Sequence, residues 1–174
     1  VWEALLHNGI PQNALIRQLP RLTRLGLAVG DTGAHIAAQL CDPVRLRRAR
    51  VHPVNVLVAQ RTYASGRSAR GAGQWAPAPV ISDARDAAFY AAYGAVEPSG
   101  KRTLLALDIS GSMASPVSGL PLSCRDASAA LAMVTAATEA RHRVVGFTAG
   151  WRGWPHGAMT ELDIGPRRRL DDVC

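Results

Sequence analysis

The sequence predicts an α-helical array followed by a smaller, partial α/β unit, and three observations carry that prediction. From Val1 to Tyr93 apolar residues recur at helical spacing, broken only by short polar or Gly/Pro-containing turns. The stretch Val96-Glu97-Pro98-Ser99-Gly100 then ends the helical pattern, and a strand, a helix and a second strand follow. Charge divides in the same sense. Residues 1–75 hold ten arginines against Glu3, Asp31 and Asp42, whereas 76–174 balance ten basic residues against ten acids. The net charge of +7 therefore belongs to the helical part, which suits it to an anionic partner. Two domains are expected, 1–97 and 98–174.

The totals set the frame. A chain of 174 residues with 48% hydrophobic content can bury a core and is not disordered. No apolar run reaches the length of a membrane span, and no signal peptide opens the chain. A helical pattern starts at once at Val1, which points to a native start upstream. Cys41, Cys124 and Cys174 are odd in number and lack metal-ligand spacing, as expected of reduced thiols in a cytoplasmic protein.

In the first unit, Trp2, Leu5 and Leu6 form a stripe that stops at Asn8-Gly9. Pro11 opens the next helix, with Leu15, Leu19, Leu22 and Leu25 at its apolar positions. Pro20 should kink or split it, because proline lacks the N–H and clashes one turn back. Gly30-Asp31-Thr32-Gly33 reads as a break, with Asp31 or Thr32 capping a helix over 33–41. Asp42-Pro43 starts a short basic helix through Arg48, and His52-Pro53 a buried one to Tyr63. Residues 66–73 form a basic, glycine-containing loop. Ile81, Ala84, Ala88 and Ala92 then line the inner face of a last helix, beside Phe89, Tyr90 and Tyr93.

In the second unit, Leu104 to Leu107 run apolar without alternation, which predicts a strand covered on both faces. Ser123-Cys124-Arg125-Asp126 is a capping box opening a helix to about Arg141, with Ala127, Leu131, Val134 and Thr138 on one face. Val144 to Phe147 is the second strand, making a βαβ unit. Trp151 to Met159 is the candidate edge strand, and Leu170-Asp171-Asp172-Val173 a helix start. A sheet of two or three strands is too small to cover itself.

Candidate site residues fall in two places. At the carboxyl edge of the first strand, Asp108, Ser110 and Ser112 offer one carboxylate and two hydroxyls, hard oxygen ligands for a cation, with Gly111 allowing the backbone to curl. The competing reading is a turn-forming Asp in an ordinary Ser-Gly-Ser loop. A phosphatase of the haloacid dehalogenase type would need a second Asp where Ser110 stands. In the helical unit, Arg45, Arg47, Arg48 and Arg50 form the densest cationic cluster, with only Asp42 near them, and are the leading candidates for phosphate contact. Replacement of Arg45, Arg47 and Arg48 by Gln is expected to weaken binding and shallow its salt dependence without unfolding the helices. Arg17, Arg21 and Arg24 share one helix face unless Pro20 turns Arg17 away; a solvated face is the plainer reading. Arg61, Arg67 and Arg70 extend the patch across the loop. His52 reads as a helix-start cap, and Trp75 and Trp151 as packing residues rather than base-stacking platforms. Arg167-Arg168-Arg169 reads as a solvated helix start. No Ser/His/Asp, Cys/His or phosphate-cradling pattern appears, so an enzyme is not expected.

The order of motifs resembles a known family. Arg50-Val-His52-Pro53, Thr62-Tyr63, Gly66, Trp75 and Asp86-Ala-Ala-Phe-Tyr90, then Val96 through Arg102 into Leu105-Ala-Leu-Asp108 and Ser110-Gly-Ser-Met113, resemble the Ro autoantigen (TROVE-domain) family. The resemblance implies the last HEAT-like helical repeats followed by the first half of a von Willebrand factor A domain. Asp108-x-Ser110-x-Ser112 matches the metal-ion-dependent adhesion motif of such domains. It further implies noncoding RNA as partner (Y RNA-like molecules and the 3′ ends of misfolded RNA), in a ribonucleoprotein that also meets an exoribonuclease or other protein through the A domain. Mg²⁺ is implied for the full-length family, while weak or no metal binding is expected here, because the family's remaining ligands come from later loops. The alternative is a divalent-metal-dependent adhesion module, which would leave the arginine excess unexplained.

Overall fold

The computed structural model describes residues 1–68, 72–148, 159–165 and 168–174. It divides into two compact units, Val1–Val96 and Glu97–Cys174.

The first unit runs α1 (Trp2–Asn8), α2 (Gln12–Arg24), α3 (Gly30–Cys41), α4 (Pro43–Arg48), α5 (Pro53–Ala64) and α6 (Pro79–Ala91), closing in a 3₁₀ turn at Ala92–Ala95. Local chemistry sets most of these bounds. Gly9, with φ 97, ends α1 in the left-handed region. Prolines open α4, α5 and α6 in the first turn, where a missing N–H costs nothing. The side chains of Asp42 and His52 cap α4 and α5. Helix α6 packs against both α3 and α5, burying Ile81, Ala84 and Ala88 on the expected face. Leu15, Leu19 and Leu22 of α2 join Ile36, Leu40, Tyr63 and Trp75 in one core.

Three details differ from expectation. Pro20 sits inside one unbroken helix. It forfeits a backbone bond, a cost of about 3 kcal/mol, but Leu15 and Leu19 before it and Leu22 after it enter the same core, and that shared burial holds the turns together. Helix α3 begins at Gly30, three residues early, and no side chain caps it. A Cβ on Gly33 would lie 2.7 Å from the Ala28 carbonyl carbon, so this glycine admits the preceding loop against the first turn. Leu25, beyond the end of α2, is exposed.

The second unit contains β1 (Thr103–Asp108), a 3₁₀ turn at Gly111–Ala114, α7 (Cys124–Thr138), β2 (His142–Phe147), β3 (Met159–Glu161) and α8 (Leu170–Val173). The sheet order is β1-β2-β3. β1 and β2 are parallel, with Thr103 opposite His142 and Asp108 opposite Phe147, and β3 is antiparallel to β2. The Ser123–Asp126 capping box opens α7 as its sequence indicates.

The second unit departs from the sequence reading in part. An edge strand lies at Met159–Glu161; the rest of the expected stretch, residues 151–158 including Trp151, lies outside the described residues. Helix α7 buries Ala129, Ala130, Ala132, Met133, Val134 and Ala136, whereas Leu131 is half exposed. In so alanine-rich a helix the apolar periodicity has little contrast to fix a face. Strand β1 is not covered on both sides: Leu104 is 63% exposed. Leu104, Ala106 and, through the register, Val145 share a face with Phe147 and Met159, and no described helix lies over Leu104.

The segment entering β1 is pinned. Buried Glu139, just past α7, accepts hydrogen bonds from the backbone N–H groups of Ser99 and Gly100, and Arg141 donates to the Gly100 carbonyl at 2.7 Å. The Ser99 hydrogen bonds hold the Glu139 carboxyl below the usual carboxylate range.

Candidate nucleic-acid interface and metal loop

The arginine-rich corner is built by the shortness of α4. Asp42 Oδ1 accepts from the N–H groups of Val44 and Arg45 at 2.8 and 3.2 Å, and Leu46 is completely buried. Leu46 fixes the helix by one side, leaving the arginines to distribute around the rest. The helix ends in paired bonds, Arg50 N–H to Arg47 O and Val51 N–H to Leu46 O. This is the Schellman arrangement, whose left-handed position is usually glycine. Here Arg50 occupies it, with φ 49, the one positive-φ residue other than glycine among the described residues.

The four arginines do not play one role. Arg45 is half-buried and committed inward: Nε donates to Gln12 Oε1 at 2.9 Å and a terminal nitrogen to the Ile10 carbonyl at 2.7 Å. Arg45 therefore ties α4 to the α1–α2 junction, so its replacement is expected to cost stability as well as affinity. Arg47 is exposed but anchored through Nε to the Gly94 carbonyl at 2.9 Å. Arg48 and Arg50 are exposed, and their side chains make no hydrogen bond or ion pair among the described residues.

On α2, Arg17, Arg21 and Arg24 are all exposed, and the unbroken helix keeps them on one face. Arg21 lies over the Trp2 ring, 5.4 Å from its centroid. Arg24 reaches the loop after α5, where a Cβ on Gly73 would come within 3.4 Å of its guanidinium. Arg67 is exposed beside an isolated bridge to Gln74. Arg70 and Arg167 lie outside the described residues. Arg61 is half-buried on α5. His52 is a cap, its Nδ1 accepting from Val54 N–H at 3.2 Å. Trp75 is packed, 9% exposed, with its indole N–H donated to the Tyr63 carbonyl at 2.9 Å.

Sequence reasoning missed two buried polar features. Arg85 is 2% exposed; its guanidinium donates to the Gln60 carbonyl at 2.9 Å and lies 4.9 Å from the Tyr63 ring centroid. Burial lowers its pKa to about 9. The signal was present, since 85 follows Ile81 by four and precedes Ala88 by three, placing it on the inner face. The second is the amide pair Gln12 and Gln39. Gln12 Nε2 donates to the Gln39 carbonyl at 2.9 Å, and Gln39 Nε2 to the Leu6 carbonyl at 2.8 Å.

In the other unit, Asp108 Oδ1 accepts from Ser110 N–H at 2.8 Å, and the Ser110 and Ser112 hydroxyl oxygens are 2.8 Å apart. The Ser110 bonds hold the Asp108 carboxyl below its ordinary value. Gly111 is not in the left-handed region; the 3₁₀ turn Gly111–Ala114 brings the hydroxyls together instead. The donor set suits a hard cation but is half a shell: three oxygens, one charged, against the six of Mg²⁺. Asp163 pairs with Arg168 at 2.9 Å, and Asp172 accepts from Arg169 N–H. Among the described residues no three His, Cys, Asp or Glu side chains cluster as a metal site, and no helix is long and apolar enough to cross a membrane.

Comparison with known proteins covers both units. Residues 1–62 match the TROVE domain and residues 102–174 the Ro60 vWA domain. The chain is 39% identical over 175 residues to the RNA-binding protein RO60 of Caenorhabditis elegans, covering 95% of this chain and 27% of that protein. It is 40% identical over 175 residues to the RNA-binding protein RO60 of Deinococcus radiodurans, covering 98% of this chain and 31% of that protein. The crystal structure of the Deinococcus radiodurans RO (RSR) protein superposes with a TM-score of 0.85 at 34% identity, over 99% of this chain and 34% of that one. The chain thus spans about a third or less of the length of these relatives. Its helices followed by a small mixed sheet are their fold, and the chain belongs to the Ro60 (TROVE-domain) family.

Proposed function

We propose that the helical unit binds noncoding RNA, held mainly through phosphates, within a cytoplasmic ribonucleoprotein that recognises Y RNA-like molecules and the 3′ ends of misfolded RNA. The observation that carries this is the unopposed charge: the +7 excess lies in residues 1–75, and Arg17, Arg48 and Arg50 are exposed with no acid or carbonyl among the described residues to engage their side chains. The names of the two RO60 relatives support the same class of partner. The role is binding rather than catalysis, and a metal-dependent adhesion module would have no use for the arginine excess.

In the second unit, Asp108, Ser110 and Ser112 are the residues that would hold Mg²⁺, whose charge would then attract a carboxylate of a protein partner such as an exoribonuclease. With one anionic ligand of three, affinity in this chain is weak. The RNA reading is tested by fluorescence anisotropy with a small structured RNA at several salt concentrations. Binding that weakens steeply with salt, and further on replacing Arg48 and Arg50 with Gln, supports it; binding indifferent to both overturns it.

A further inference from the structure

Two clefts in the helical unit are joined by a hydrogen bond between a residue of each. The first, about 450 Å³, lies between Gly9–Gln12 and the Arg45, Arg48 and Ala49 side of α4. The second, about 290 Å³, is lined chiefly by Asn13, Ile16 and Arg17 of α2 facing Val51, Asn55 and Val58. Between them Asn13 donates to the Ala49 carbonyl at 3.4 Å. They are compartments of one furrow between the start of α2 and the α4–α5 corner. Its frame is fixed, because Arg45 is bonded to both Gln12 and the Ile10 carbonyl.

The lining is chemically specific. Among the described residues, no carboxylate lines either compartment. In the second, Ile16, Val51 and Val58 supply aliphatic walls, while Asn55 is exposed with its amide unengaged among the described residues. Arg17 stands in that compartment and Arg48 in the neighbouring one. An apolar slot edged by amides takes a flat heteroaromatic ring whose rim carries paired donors and acceptors, as a carboxamide pairs with a base edge. The flanking guanidinium groups take phosphates. At about 290 Å³ the slot lies just below the usual range of ligand pockets, about 300–1,000 Å³, which suits a single base rather than a larger ligand. A duplex could not use it, since bases in an A-form helix are stacked and paired, and only splayed single-stranded bases present their edges. Arg50 adds an independent sign. It holds a left-handed backbone at the residue before the Val51 wall, and such costly conformations concentrate at ligand contacts.

We infer that the Asn13–Asn55 compartment seats an unstacked base of single-stranded RNA, with the phosphates on either side of it held by Arg17 and Arg48. The inference rests on the RNA reading and deepens it by assigning a place where strandedness is sensed. The test compares two labelled RNAs, a short oligouridylate and a blunt-ended hairpin, on the wild-type chain and on Asn55→Leu, which fills the slot and removes the amide. Oligouridylate affinity is expected to fall about tenfold while hairpin affinity changes less than about twofold. Asn13→Ala should give the same split, and thermal melting verifies the fold of both. Equal losses on the two RNAs, or no loss on either, overturn the furrow assignment. A wild-type chain that binds the hairpin but not oligouridylate overturns it alone, whereas failure to bind either RNA overturns the RNA reading with it.

Discussion

Arg50→Gly separates the backbone's interest from the ligand's. Arg50 occupies the left-handed position of the α4 Schellman turn with φ 49, where a residue with a Cβ costs roughly 1–2 kcal/mol. Glycine removes that cost, but its freer unfolded chain takes back roughly 0.5–1 kcal/mol. The net expectation is a gain of about 0.5–1 kcal/mol, a rise in melting midpoint of about 3–6 °C for a unit of this size. RNA affinity should move the other way, with the salt slope shallower by about 0.7, the value of one phosphate on a single strand. Arg50→Ala keeps the strain and loses the cation, so it should weaken binding with no gain in stability. The readouts are urea or thermal denaturation and anisotropy on the same samples. A less stable Arg50→Gly would refute the strain argument. A more stable variant with unchanged affinity would show that the side chain is not held there for RNA.

Other consequences are equally direct. Arg45→Gln should cost about 1–3 kcal/mol of stability, because it abandons the Ile10 carbonyl and Gln12, whereas exposed Arg48→Gln should stay within about 0.5 kcal/mol and act on affinity alone; equal stability losses would contradict that division. Glu139 has its pKa depressed by Ser99 and Gly100. Its contribution is present above the unfolded value of about 4.3 and is lost as pH falls through the folded value. Glu139→Gln should therefore flatten the acid limb of a stability–pH curve, and an unchanged limb would count against the clamp. Titration with Mn²⁺ should reveal only weak binding at the Asp108 loop; a tight stoichiometric site lost in Asp108→Ala would show that the shell is completed by groups this account does not include.

What was legible in the sequence follows from the range of the forces involved. Asp42, His52, Ser123 and Asp126 act within a few residues, and their caps stand where the sequence places them. Partners distant in sequence were not legible. The role of Arg45 is decided by Gln12 and Ile10, 33 and 35 residues away, and no local pattern distinguishes it from Arg48. That Pro20 does not split α2 has the same cause, since a core gathered from α2, α3 and α6 outweighs a local breaker. Arg85 could have been found, because its spacing from Ile81 and Ala88 puts it on the inner face of α6. The Asp108 loop was readable as a convergence of oxygens, though the 3₁₀ turn rather than Gly111 produces it.

The central claim is that the basic helical unit holds RNA through arginine–phosphate contacts, and the salt dependence of binding measures those contacts most directly. With several phosphates neutralised, log K should fall linearly with log salt, at about −0.7 per phosphate on a single strand and about −0.9 on a duplex. Replacing Arg17, Arg48 and Arg50 with Gln should remove about two units of slope. A slope near zero, or one that the three replacements leave unchanged, would contradict the account.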